Sequence, residues 1–573
     1  VGLILEHLRR RKGAIWAGLA FILAANLVSQ GGPWILKAAV DGIRAGRGGT
    51  HLAWLAAALV GVSIVQGVFR YLTRMSVIGV SRHIESELRM RIFDHLQRLP
   101  QSFFGVNRTG DILSRATSDL ENVRLFLGPG VMNLLNTVVL FAMAAVSMSM
   151  LSPRLTLLSF LPLPVAAGCV ALASTLYHRT YRRAQEANAA ANSVAQENFS
   201  GMRVVKAYTL EESQVEAYRR ACLVFQARNL DVARLMGLFH PMIGFLMSLT
   251  TVVIVWAGGR MVIRGELTVG ALVAFLGFMA MLIWPAIALG WVFSLLQRGS
   301  ASAERIRWIL DTPPGIADPA DPAPLGRIDG RIAFDRLTFS YPGTTHPALR
   351  DVTLDIPAGS SLAVVGRTGS GKSTLVSLVP RLWNAPAGRV TVDGVPVERL
   401  PLDLLRGAIG YVPQDSFLFS RSLRDNILPG GGDPSGAVRD AGLEGEVAAM
   451  PAGLDTVVGE RGITLSGGQK QRAALARALA RDPRILILDD VFSSIDARTE
   501  AEIIGSLERN RRGRTVILAT HRLSAAALLD RIAVLEEGAL VETGTHAELL
   551  AAGGRYADMW RRQQLESELE EAP

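Results

Sequence analysis

Repeated apolar runs of spanning length in the first 300 residues constrain this chain more than any other feature. Nearly uncharged stretches recur near residues 14–36, 52–75, 126–151, 155–177, 236–258 and 268–296. Each is close to the ~20 residues that an α-helix needs to cross ~30 Å of hydrocarbon. A soluble helical core rarely repeats such runs, so the first half reads as membrane-embedded. Six spans put both chain ends on one side, and the Arg-rich flanking segments place that side in the cytoplasm.

Composition then separates two halves. Beyond residue 310 the apolar runs shorten to strand length and mix with Gly, Asp and Arg in globular proportions. The net charge is +9, carried mostly by Arg, which would suggest nucleic acid if the charge lay in one stripe. The Arg clusters at 7–13, 178–183 and 559–564 are instead scattered, the first two beside apolar spans. They read as topology signals, and no nucleic-acid partner is expected. Two cysteines, Cys169 and Cys222, are too few for a disulfide framework or a metal site and suit a reducing cytosol. The chain begins at Val1 without a Met, so a few residues are expected to precede it. No cleavable signal pattern is visible, and the first span is expected to remain as an anchor.

The connections are lopsided. "SPR" at 152–154, "RAGRGGTH" at 44–51 and the segment 258–270 leave almost no loop on the outer face. Residues 76–125 and 178–235 are long, charged and helical in period, so the spans should continue well into the cytoplasm. Within them, Gly residues interrupt two stretches, 103–123 and 197–212, each followed by a charged amphipathic turn. Lys37 and Asp41 stand four apart and can pair on one helix face. Gln66, Arg70, Asn133 and Asn136 serve either as interhelical or snorkelling groups or as cavity lining. The fourth and sixth spans carry no ionisable residue in their cores, which argues against a buried proton relay. Any solute surface is therefore apolar and aromatic, with Trp284 and Trp291 available.

A Pro-rich stretch, 311–330, ends the last helix and marks a linker. Beyond it, "LAVVGRTGSGKSTLVSLV" (362–379) is an apolar strand, a Gly-rich turn and a helix start. Gly366, Gly369 and Gly371 permit a turn whose N–H groups face phosphate, Lys372 reaches the outer phosphates, and the Ser373 hydroxyl is placed for magnesium. With Arg367, Thr368, Ser370 and Thr374 these residues form the expected ATP-binding loop. "RILILDD" supplies a buried parallel strand that presents Asp489 to magnesium at its tip. "LSGGQ", Leu465, Ser466, Gly467, Gly468 and Gln469, precedes a second helix N-terminus able to hold phosphate. One chain does not need two such sites for a single phosphate tail, unless the second serves a nucleotide held by another subunit.

These motifs, in this order, resemble those of the ATP-binding cassette exporters, and the resemblance covers essentially the whole chain. It implies a six-span membrane α-helical exporter domain (1–310) with long cytoplasmic helix extensions. A linker (311–330) fuses it to an α/β P-loop nucleotide-binding domain (331–573). It also implies ATP and Mg2+, a second half-transporter as partner, and a bacterial inner membrane with both termini cytoplasmic. Tyr341 matches the family's adenine-stacking aromatic and Gln414 the glutamine that senses magnesium and water. Asp496 matches the loop crossing the dimer interface, and His521 the switch histidine at the terminal phosphate. Asp111 and Arg115 in the first interrupted turn and Lys206 in the second fall on the coupling helices, which Glu460 matches in the sensing loop.

Asp490 departs from the pattern, which has Glu after the Walker B Asp. The resemblance makes this residue, with Gln414 and His521, the catalytic set. Asp is one methylene shorter, which withdraws the carboxylate by about 1.5 Å, and a misplacement of about 1 Å can cost on the order of a hundredfold. With LSGGQ intact, the resemblance narrows to heterodimeric exporters that have one slow site and a partner carrying Glu. That partner's signature motif is expected to be the less regular one. A homodimeric exporter with slow turnover and a nucleotide-gated channel or regulator remain as alternatives. The solute is apolar or amphipathic: drug, lipid or peptide.

Overall fold

Helix length is where the membrane half shows its design. The structure is a computed structural model and describes residues 11–459, 465–492, 497–509 and 513–571. Helix α1 (Lys12–Arg44) turns through Ala45–Gly48 into α2 (Gly49–Arg98), whose 50 residues extend about 75 Å, more than twice the hydrocarbon thickness. Short helices α3 (Gln101–Val106), α4 (Thr109–Ser114) and α5 (Leu120–Leu125) follow, with π-helical turns at Arg115–Asp119 and Phe126–Gly130. Then come α6 (Val131–Leu151), α7 (Pro153–Phe160), α8 (Pro162–Ser200), α9 (Met202–Ala207), α10 (Glu211–Ile263) and α11 (Val269–Asp311). The expected outer hairpin at 152–154 is a helix cap: Ser152 leaves the helix at φ −164°, its Oγ accepts from Leu155 N at 3.2 Å, and Pro153 starts α7.

Two expectations need adjusting. The span expected at 155–177 is broken at Leu161, because Pro162 has no N–H with which to continue the hydrogen-bond ladder. The span expected to begin at 126 starts inside the π-helical turn containing Pro129 and becomes regular only at Val131. Among the described residues, four helical stretches are long and apolar enough to cross a membrane: Lys12–Arg44, Gly49–Arg98, Thr109–Leu151 and Val269–Asp311. Ser248–Ile263 forms a shorter apolar stretch. The fourth expected span falls on α7 and α8 and the fifth on α10, and several side chains of α8 and α10 lie outside the described set.

Lys37 does pair with Asp41, Nζ to Oδ2 at 3.1 Å, but the carboxylate has further work. It accepts from Thr268 Oγ1 and from Gly270 N, both at 3.0 Å, and so fastens the end of α1 to the start of α11. Asn136 is an interhelical group: its Oδ1 accepts from Asn26 Nδ2 at 3.0 Å. Asn133 donates Nδ2 to Pro129 O at 2.7 Å, satisfying a carbonyl beside the irregular turn.

The chain divides into two units, the membrane unit (residues up to Phe93 with Leu113–Ile309) and the nucleotide unit (Asp94–Ile112 with Leu310 onward). In the latter, β1 (Ile332–Phe339), β2 (Leu349–Ile356), β4 (Val390–Val392) and β5 (Val395–Pro396) make an antiparallel sheet ordered β2-β1-β4-β5. The second sheet is built from β3 (Ser361–Val365), β6 (Ile409–Val412), β7 (Ile485–Asp489), β8 (Thr515–Thr520), β9 (Arg531–Glu536) and β10 (Ala539–Gly544). Its order is β10-β9-β3-β8-β7-β6, parallel except for β10. Strands β3, β7 and β8 are buried at every position, as their uninterrupted apolar runs require of a sheet covered on both faces. Bonds that strap the linker onto this unit include Asn384 Nδ2 to Gly315 O, Leu402 N to Asp318 Oδ1, and Ala323 N to Arg399 O.

Candidate nucleotide site

Register brings the site together. Val365 pairs with Thr520 and Asp489 with Ala519, so β3, β7 and β8 end at one sheet edge, where Gly366, Asp490 and His521 emerge side by side. After β3 the chain must turn sharply into α12 (Lys372–Leu378). Gly366 takes φ 152° and Gly371 φ 99°, conformations that side chains disfavour. A Cβ on Gly366 would collide with the Leu535 carbonyl oxygen, and one on Gly371 would lie 2.8 Å from that of Ala348. The close backbone approach that phosphate binding needs is therefore built into the turn.

Lys372 Nζ donates to Gly366 O at 2.8 Å and to Arg367 O at 3.0 Å. Burial lowers its pKa, while Asp490 and Asp489 pull it upward. The Ser370 hydroxyl is buried and, among the described residues, has no hydrogen-bond partner, so it can bond a phosphate oxygen. Arg367, Thr368 and Gly369 form the exposed rim of the loop. Thr374 Oγ1 lies 2.9 Å from the Tyr341 hydroxyl, and the Tyr341 ring sits edge-on to Trp383 at 4.8 Å.

Ser373 Oγ donates to Asp489 Oδ1 at 2.8 Å. Burial raises the Asp489 pKa, opposed by the Ser373 hydrogen bond and reinforced by the charge of Asp490. Together the two side chains present hard oxygen ligands, and no group of three or more His, Cys, Asp or Glu side chains forms a metal cage among the described residues. That donor set fits Mg2+, which takes one or two protein oxygens and completes its shell with phosphate and water. Bound there, Mg2+ would neutralise phosphate charge; Ser373 and Asp489 would hold it.

The three expected catalytic residues do converge. His521 Nδ1 lies 2.8 Å from Asp490 Oδ1, and Gln414 Nε2 donates to Asp490 Oδ2 at 3.4 Å. Asp490 has φ 51°, left-handed for a non-glycine residue, and its N–H donates to Ala519 O at 2.8 Å. A cavity of about 890 Å³ joins the loop Gly366–Ser370, Asp490 and His521 to helix α14 (Arg555–Glu571).

Leu465, Ser466, Gly467, Gly468 and Gln469 are not part of its lining. Ser466 caps α13 (Gly467–Leu479), its Oγ accepting from Gln469 N while Gln469 Oε1 accepts from Ser466 N. The two glycines therefore lie inside the first turn of the helix. Asp111 is exposed on α4 in the nucleotide unit, whereas Arg115 stacks 4.6 Å over the Trp308 ring in the membrane unit. Lys206 pairs with Glu211 at 2.8 Å. Glu460 and Asp496 lie outside the described residues.

Trp383 and Tyr411 escaped sequence reasoning. Tyr411 sits beside Asp489 and Tyr341, and burial pushes its hydroxyl pKa far up. Its place just before the loop of Gln414 was the available signal.

A strand-edge phosphate loop, a magnesium-ready Ser–Asp pair and a preceding bundle of membrane-length helices define a membrane transporter driven by nucleotide. Comparison with known proteins agrees. The family description "ABC transporter transmembrane region" matches residues 15–286, and "ABC transporter" matches 349–493. The "Probable multidrug resistance ABC transporter ATP-binding/permease protein YheI" of Bacillus subtilis is 37% identical, covering 96% of this chain and 94% of its own. An "ATP-dependent lipid A-core flippase" of Thiobacillus denitrificans is 35% identical over 89% and 88%. The solved "Structure of a bacterial Atm1-family ABC exporter with ATP bound" superposes with a TM-score of 0.80 at 28% identity, covering 97% and 98%. The chain belongs to the ABC transporter family: a bacterial inner-membrane exporter subunit whose ATPase uses ATP with Mg2+.

Proposed function

We propose that this chain is one half of a heterodimeric exporter, in which its own Walker motifs form the slower ATP site and its LSGGQ completes the faster site of a Glu-bearing partner. The finer resemblance is to TmrB, the degenerate-site half of the bacterial TmrAB multidrug exporter. The solute is apolar or amphipathic, in keeping with the multidrug and lipid names of the relatives. The membrane domain spans 1–310, with both termini cytoplasmic, and Asp111, Arg115, Lys206 and Glu460 serve coupling.

The observation that carries this reading is the geometry at Asp490. Its short carboxylate receives both His521 and Gln414, so the polar groups around the site are arranged as for hydrolysis while the acid itself is one methylene short. Positioning is most of what a protein contributes to phosphoryl transfer. The site is therefore expected to hold ATP well and cleave it slowly. The separation of LSGGQ from the cavity of this chain supports its use in trans.

Asp490→Glu and Asp490→Asn, each made in the assembled pair, test the reading by single-turnover ATP hydrolysis. Glu should raise hydrolysis at this site by about ten- to a hundredfold, and Asn should leave steady-state turnover of the pair nearly unchanged. A large loss on Asn substitution would make Asp490 a principal base and overturn the assignment.

A further inference from the structure

The chain enters the membrane unit from the nucleotide unit after Ile112 and leaves it again after Ile309. Just inside the membrane unit, these two passages are locked together. Arg305 grips Asp119 in bidentate fashion, Nε to Oδ2 at 2.7 Å and Nη2 to Oδ1 at 2.5 Å. Ser302 Oγ donates to Asp119 Oδ1 at 2.9 Å and accepts from Asn122 Nδ2 at 3.2 Å. Asp119 is 5% exposed and Ser302 fully buried. One turn further along, the Arg115 guanidinium covers Trp308.

Backbone features on both sides serve the contact. The π-helical turns Arg115–Asp119 and Phe126–Gly130 bracket it, an irregularity that tends to mark functional positions. Gly299 lets α11 come close, since a Cβ there would lie 2.6 Å from Phe126 Cβ. The carboxylate of Asp119 is buried while the Arg305 side chain is half exposed. Such a pair is weak evidence for stability, because desolvation of the carboxylate offsets part of the attraction, but its bidentate hydrogen bonds fix geometry.

We propose that Asp119 and Arg305 are positioning residues for coupling: they join residues 113–125 and the final two turns of α11 into one rigid body, so that movement delivered through the first cytoplasmic turn reaches the last span. This rests on the reading of that turn as a coupling element. Asp41, which fastens α1 to α11 at their other ends, provides a place to read the response.

The test uses the full chain in its dimeric assembly in lipid nanodiscs, with Cys169→Ser and Cys222→Ser. Spin labels on Arg47→Cys and Glu266→Cys, exposed positions in two outer loops, report a distance with and without Mg-ATP. In Arg305→Ala and Asp119→Asn the Mg-ATP-driven distance change should be largely lost, and in the milder Ser302→Ala reduced, while basal ATPase persists. The exchange of Asp119→Arg with Arg305→Asp should recover most of the response. An unaltered response in Arg305→Ala and Ser302→Ala, or a parallel loss of ATPase and response in all variants including the exchange, overturns the proposal. If the unmodified pair shows no response at all, the coupling reading itself fails, and the proposal with it.

Discussion

At Asp489 the environment of one carboxyl group decides when the site can hold its cation. Burial raises its pKa, and the neighbouring negative charge of Asp490 raises it further, while Ser373 and Lys372 pull the other way. Mg2+ requires the ionised form, so a proton competes with the cation at a higher pH than for an exposed aspartate. Lowering the pH should weaken Mg2+ binding before ordinary carboxylates titrate. In Asp490→Asn the raising charge is gone, and the midpoint should move to lower pH. Mg2+ titrations across pH in the presence of a non-hydrolysable ATP analogue measure both; a midpoint that stays put in the variant would exclude Asp490 as a cause. The sequence already pointed to this cluster: Asp489, Asp490, Gln414 and His521 were legible from motif order. Their convergence was not, because residues 414, 490 and 521 meet only through the parallel register of β6, β7 and β8.

Element by element, caps and breaks decide more than propensity. Helix α13 begins with two glycines, poor helix formers, yet it starts cleanly because Ser466 and Gln469 satisfy each other's backbone N–H groups. Ser466→Ala should destabilise the nucleotide unit by about 0.5–2 kcal/mol. If LSGGQ works in trans, it should also reduce hydrolysis at the partner's site more than ATP binding at this chain's own loop. Thermal unfolding and single-site nucleotide binding check the two parts. The capping box follows from the local S-x-x-Q spacing, whereas the break at Leu161 has no mark in hydropathy: the apolar run continues through Pro162, and hydropathy does not register a missing N–H. The π-helical turns also left no periodic signal, since one extra residue per turn is hidden in a long helical pattern.

For the whole molecule, the question is whether one chain suffices. Purified alone, it should hydrolyse ATP at least about tenfold more slowly than the assembled pair, measured as steady-state phosphate release in detergent or nanodiscs; robust turnover of the isolated chain would remove the need for a Glu-bearing partner. Sequence alone determined the two-part architecture, because crossing hydrocarbon demands uninterrupted apolar length and a phosphate loop demands glycine at fixed spacing. Both are local requirements written in consecutive residues. Only the tertiary structure decided that Asn136 bonds Asn26, that Asp41 ties α1 to α11, and that Asp119 is gripped by Arg305. These partners lie 110 to 229 positions apart in the chain. A polar side chain within a helix shows that a partner is needed, since burial without one is costly, but which partner it finds depends on how the helices pack.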